Sequence, residues 1–209
     1  YLEKVDPDDK RFAEYTHKLE KATREQKYIK RVEKVIIIDS IVVSKAHFLQ
    51  AYNIGKESGS IGTTQQFVRE SKATEGTAYR TEMRDKIYYS DIDENGHLQR
   101  DTRYKMLDDR SRPAPLNGRP AGDNNYPFML SDGITMYFAN NSLDGLGGYD
   151  IYITRFNSAT DRYLLPENVG MPFNSESNDY MMAIDEVNGL GWFATDRNLP
   201  DSLVCIYTF

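Results

Sequence analysis

The sequence predicts a mainly β protein, built from repeated four-stranded units behind one N-terminal α-helix. Three observations carry this. The chain of 209 residues holds 15 Tyr and 14 Gly, and aromatic residues suit pleated, half-buried surfaces separated by glycine turns. Strand-sized apolar runs alternate with Asn-Gly and Asp-Gly dipeptides, the strongest short hairpin signals. Several separate segments of the second half recur in order at one fixed offset.

Residues 1–34 form the helical segment. Asp6-Pro7 with Asp8 and Asp9 is a helix start, because proline suits the first turn and acids suit the positive end of the dipole. Phe12, Tyr15, Leu19, Tyr28 and Val32 recur at helical spacing among charged residues. Such a thin stripe predicts a helix that packs on another surface or leads in from an upstream segment.

Residues 35–209 form the β domain. Val35 to Val43 is β-branched and reads as a strand. Residues 44–54 read as a short helix or an irregular edge, and Gly55 to Gly62 as a loop or turn. Lys86 to Asp93 is a strand, Glu94-Asn95-Gly96 its turn, and His97 to Tyr104 the returning partner.

The repeat lies further on. Tyr137-Phe138-Ala139-Asn140 returns as Trp192-Phe193-Ala194-Thr195, and Tyr149-Asp150-Ile151-Tyr152 returns as Val204-Cys205-Ile206-Tyr207 at the same offset. Upstream, Asn125-Tyr126 returns as Asp179-Tyr180 at an offset shorter by one, which predicts one extra residue in the second turn. A weaker third copy is Arg84 to Ser90. Four short strands per repeat of roughly 50 residues is the arithmetic of propeller blades. The expected units are 77–116, 124–170 and 178–209, with a degenerate one at 35–76. About three blades make an incomplete propeller, since closed ones have roughly 4–8.

The run Tyr126 to Gly133, followed by Met136-Tyr137-Phe138-Ala139 and Gly147-Gly148-Tyr149-Asp150-Ile151-Tyr152, resembles the TolB-type WD-like β-propeller repeat, in versions found in the cell envelope of Bacteroidetes. The best match covers residues 125–157 and a looser one about 77–209. The resemblance implies placement in the periplasm or at the outer membrane, with any lipid anchor upstream of Tyr1. It also implies protein or envelope-polymer contacts and no fixed catalytic set.

Composition narrows the partners. A net charge of −6 argues against nucleic acid, whose phosphates need a basic face. No apolar run approaches the length of a membrane span, the longest aliphatic one being Val35 to Ile38. The single cysteine, Cys205, precludes an internal disulfide and reads as a buried thiol.

Around a propeller channel, loops entering the innermost strands line one mouth. That makes Asn124, Asn125, Tyr126, Asn178, Asp179 and Tyr180 the candidate ligand-binding residues, with the alternative that the amides only satisfy loop backbone. Asp91-x-Asp93-x-Asn95-Gly96 matches the first half of a calcium loop, but its twelfth position is Thr102 and not Glu. Asp150 is expected to bond backbone between blades, and Asp196-Arg197 to form a local ion pair or turn bond. His17, His47 and His97 are scattered, with no second ligand at metal spacing. No metal or cofactor is expected, and no catalytic residue is assigned. The function expected is a non-catalytic envelope module contacting a protein partner, or a glycan, through loop faces. Two alternatives stay open: a propeller hydrolase acting on envelope glycans or peptides, and a structural subunit of an outer-membrane assembly.

Overall fold

A computed structural model describes residues 10–29, 34–92, 98–106, 122–141 and 145–209. Helix α1 spans Lys10–Ile29, so the Asp6-Pro7 start lies outside the described residues. Tyr15 and Leu19 of its apolar stripe are exposed. Among the described residues no helix is long and apolar enough to cross a membrane.

Three antiparallel sheets follow. The first orders β2 (Ser60–Thr63), β3 (Thr77–Arg80), β4 (Lys86–Ile92) and β5 (Leu98–Met106). The second orders β6 (Asn124–Met129), β7 (Thr135–Asn140), β8 (Asp150–Asn157) and β10 (Glu167–Asn168), with β9 (Arg162–Tyr163) also pairing with β8. The third runs β11 (Asp179–Asp185), β12 (Leu190–Thr195) and β13 (Leu203–Thr208), and takes β1 (Asp39–Ser44) as its outer strand. Among the described residues none of the sheets closes on itself.

The hairpins follow the local chemistry. Asp132 accepts bonds from the N–H groups of Ile134 and Thr135, and Gly133 supplies the positive φ of 65° that the β6–β7 turn needs. The β11–β12 turn does the same with Asp185 and Gly189. Strand β6 crosses the face of the first sheet and β11 the face of the second, so each sheet is the floor for the next. Phe128 of β6 meets Tyr79 of β3 at 4.6 Å between ring centroids. One core cluster then runs through all three sheets, from Tyr88 through Phe138, Met181 and Trp192 to Ile206. Cys205 is buried in β13 as a free thiol.

Several expectations need correction. The segment 35–76 is not a unit of its own: β1 joins β13 and β2 joins β3. β1 begins at Asp39 and not at Val35, because Ile38 is the first residue to bond the β13 backbone. The stretch Gly55–Gly62, read as a loop or turn, does carry a 3-10 turn (Lys56–Ser58) but also most of β2. Residues 44–54 need no correction, since the short helix is the reading that holds, as a 3-10 helix over Lys45–Ala51. The extra residue predicted for the second turn is not there. Met129 pairs with Met136 and Ile184 with Gly191, so both strands of the hairpin keep one common offset across the turn. The one-residue difference between the tyrosines instead sits in β-bulges at Asn125/Phe128 and Asp179/Met182.

Candidate functional site: a tyrosine-floored cleft

The bulges decide where the first residues of β6 and β11 point. A bulge bends a strand and re-aims its side chains. Tyr126 sits in the β6 bulge at φ 58°, a left-handed conformation that a bulky residue adopts only when its surroundings impose it. Its ring meets Tyr149 edge-on at 5.7 Å and Tyr180 at 5.4 Å. Phe48, on the 3-10 helix Lys45–Ala51, closes the group at 5.9 Å from Tyr126 and 5.6 Å from Tyr180. Tilted and edge-to-face contacts of this kind are the favoured geometry of aromatic pairs.

These rings floor a cleft of about 660 Å³, within the size range of small-ligand sites. Its rim is polar, with Lys45, His47 and Gln50 on one side and Gln66 and Glu75 on the other. Gln66 is fixed by the short helix α2 (Thr64–Phe67), where its Oε1 accepts the N–H of Thr63 in a capping box.

Electrostatics hold the floor in one protonation state. Burial raises the phenol pKa of Tyr126, Tyr149 and Tyr180 well above the ordinary value. At Tyr180 the hydrogen bond to Asp196 and its charge add to this. All three therefore present neutral rings across the physiological range. Asp196 anchors the edge of the cleft. Its carboxylate accepts from Lys45 Nζ at 2.8 Å, Tyr180 OH at 2.7 Å, Asn178 N at 2.8 Å and Asn178 Nδ2 at 2.9 Å. Burial alone would raise its pKa, and these donors outweigh that and hold it below the usual value. Lys45 Nζ also lies 5.6 Å over the Tyr180 ring, a cation–π contact.

Of the six expected ligand residues, Tyr126, Asn178 and Tyr180 line the cleft. Asn124, Asn125 and Asp179 are buried, at most 2% exposed, and serve the scaffold. Asn125 Oδ1 accepts from Thr77 N and Thr77 Oγ1, and its Nδ2 donates to Glu75 O. Asn124 Oδ1 accepts from Asn140 Nδ2. Asp179 accepts from Arg197 Nη2 at 2.7 Å and from Ser175. Of the local ion pair or turn bond expected at Asp196-Arg197, the turn bond is present, the backbone N–H and Nε of Arg197 donating to Thr195 Oγ1, while the two charges pair with other residues, Asp196 with Lys45 and Arg197 with Asp179. Asp150 does bond backbone, but in its own loop, through the N–H groups of Leu146 and Gly147. Its Oδ1 has no partner among the described residues, and burial lifts its pKa to about 7, reinforced by the charge of Asp179.

Sequence reasoning missed Phe48, Lys45, Tyr149, Gln66 and Glu75 as cleft residues. Tyr149 belongs to the repeated Tyr-Asp-Ile-Tyr run and had a signal. The others are brought in by tertiary packing and had none.

Asp91 accepts from Ser71 Oγ and Ile92 N, while Asp93, Asn95 and His97 lie outside the described residues. Among the described residues no three His, Cys, Asp or Glu side chains gather as a metal site. A second cavity of about 240 Å³ opens beside the β6–β7 and β11–β12 turns, between Tyr79, Phe128 and Glu186. No family model, no curated protein and no solved structure matches the chain.

Proposed function

We propose that this chain is a non-catalytic binding module of the bacterial cell envelope, whose three sheets act as blades of a propeller-like arrangement and whose tyrosine cleft engages a protein or glycan partner. The cleft carries this reading. It combines a rigid aromatic floor, which offers contact area at low entropic cost, with a rim of amides and charges that fixes orientation. The buried acids Asp150 and Asp179 do not line it and are engaged in the scaffold. The envelope placement rests on the repeat resemblance of residues 125–157. Each sheet floors the next, as blades do.

Site-specific photocrosslinking tests the proposal. A photoreactive residue at Gln66, on the exposed rim, is expected to yield discrete adducts with envelope proteins or glycans. The same residue at Val187, in the β11–β12 turn, is not. Tyr149→Ala should abolish the Gln66 adducts while leaving the fold intact by circular dichroism. Adducts confined to cytosolic components, or turnover of an envelope glycan or peptide by the purified chain, would refute it.

A further inference from the structure

β1 is the outer strand of the third sheet, and it exposes two of its three aliphatic side chains. Ile41 and Val42 are each 51% exposed, and Ile36 and Ile38 just before them are 76% and 61% exposed. The N–H of Lys45 donates to Ser202 O. Bonded residues alternate along an antiparallel strand, so within the paired register the odd-numbered residues of β1 face β13. The N–H and C=O groups of Ser40, Val42 and Ser44 therefore point to the open side. The first is covered locally, since Ser40 N–H donates to its neighbour Asp39 at 2.8 Å. Proteins commonly blunt such an edge with charge, proline or a bulge, and Ile41-Val42-Val43 carries none of these.

This edge is also its own complement. Laid antiparallel against a second copy about Val42, it sets Val42 opposite Val42, Ile41 opposite Val43 and Ser40 opposite Ser44. Lys45 falls opposite Asp39 in this register but keeps its ammonium on Asp196, so the match rests on the Ser, Ile and Val positions. In this register the outward-pointing residues 40, 42 and 44 form the hydrogen-bonded pairs, as the alternation requires. A patch that matches itself under a two-fold rotation is the condition for an isologous dimer.

We propose that the protein forms a two-fold symmetric dimer in which β1 pairs antiparallel with β1 of a second copy, merging the third sheets of both copies into one continuous sheet. The axis passes through the Val42 pair. Because β1 runs straight into the 3-10 helix that borders the cleft, both clefts come to the same seam. The dimer stands independently of what the clefts bind.

Sedimentation velocity across a concentration series is the test. The wild-type chain should sediment at twice its 24.1 kDa mass. Val42→Lys and Val42→Glu each oppose like charge across the axis and should each weaken association at least tenfold. Mixed together, they should recover a dimer containing one copy of each. Circular dichroism should show both variants folded. If either fails to fold, Val42→Cys carries the test. Hydrogen-bonded antiparallel partners have Cα atoms about 5.5 Å apart, within disulfide reach, so mild oxidation should yield a covalent dimer. A wild-type monomer at every concentration overturns the proposal. So does a dimer that survives Val42→Lys, a mixture that stays monomeric, or a Val42→Cys chain that does not crosslink. A β1 reserved for a strand of another protein would appear as the first of these.

Discussion

Arg197 Nη2 sits 2.7 Å from Asp179 Oδ1, a carboxylate with no solvent exposure. The guanidinium also donates to Pro172 O, Phe173 O and Thr195 Oγ1. One side chain thus ties the start of β11 to the end of β12 and to the loop before them. Burial raises the Asp179 pKa even with Arg197 beside it. Arg197→Met should therefore cost about 3–5 kcal/mol at neutral pH, the usual penalty for stranding a buried charge. Urea unfolding would show the loss shrinking as pH falls, because the pKa of Asp179, already raised by burial, rises further once Arg197 is gone and the carboxylate takes up a proton.

Asp150 should make the protein less stable as pH rises. Its folded pKa of about 7 lies above the ordinary 3.8. The unfolded chain therefore releases its proton first, and stability falls between these two values before levelling above pH 7. The slope from one group is at most about 1.4 kcal/mol per pH unit. Asp150→Asn keeps an acceptor for the Leu146 N–H and should remove that slope. Thermal unfolding at pH 5 and pH 8 compares the two proteins, with the variant gaining on the wild type at pH 8.

Asp185 should act in the opposite sense. Asn188 Nδ2 and the N–H groups of Asn188 and Gly55 hold its pKa down to about 2. Its stabilisation is full above the ordinary value of 3.8 and is lost as pH falls through about 2. Asp185→Ala should cost about 1.5–3 kcal/mol, the range for bonds to a charged group. Because Gly55 is 130 residues away in the chain, amide exchange should quicken in residues 52–58 of that variant.

Gly147→Ala should loosen the contact between the second and third sheets. A Cβ there would overlap the backbone of Glu176, which has no flexible end to move aside. Overpacking of this kind costs about 1–3 kcal/mol, measurable by denaturant titration. Gly133→Ala makes a useful contrast, since nothing lies within 4 Å of its Cβ position and only the φ of 65° opposes the change.

The parts of this fold written locally were legible in the sequence. The Asp132-Gly133 turn, the β7 and β12 aromatic strands and the buried thiol at Cys205 each follow from neighbouring residues. What closes across distance was not. Nothing in Ile41-Val42-Val43 says that its ladder partner is Val204 to Ile206. The bulges escaped for a related reason. A one-residue shift between Tyr126 and Tyr180 looks the same in a turn or a strand until pairing fixes the register. At the cleft, the two tyrosines that open the repeated strands were visible. The amides beside them divide: Asn178 lines the cleft, while Asn125 is spent on Thr77 and Glu75, the scaffold alternative that the sequence left open. Phe48 and Lys45 were invisible, since a 3-10 helix held by tertiary contacts carries no periodic signal.

The pairing of Asp39 with Thr208 joins the first strand of the β domain to its last and has a consequence for how the chain is made. A ribosome delivers β1 long before its partner exists. During that interval β1 waits with both edges open, and the third sheet cannot complete its ladder until β13 emerges. Long-range pairing of this sort slows folding and leaves an intermediate exposed to strands of other chains. A β13 from a neighbouring nascent chain is chemically identical to the proper one. Crowded synthesis should therefore favour exchange of β1 between copies, and slower translation of the region after β12 should lengthen the time in which that exchange occurs.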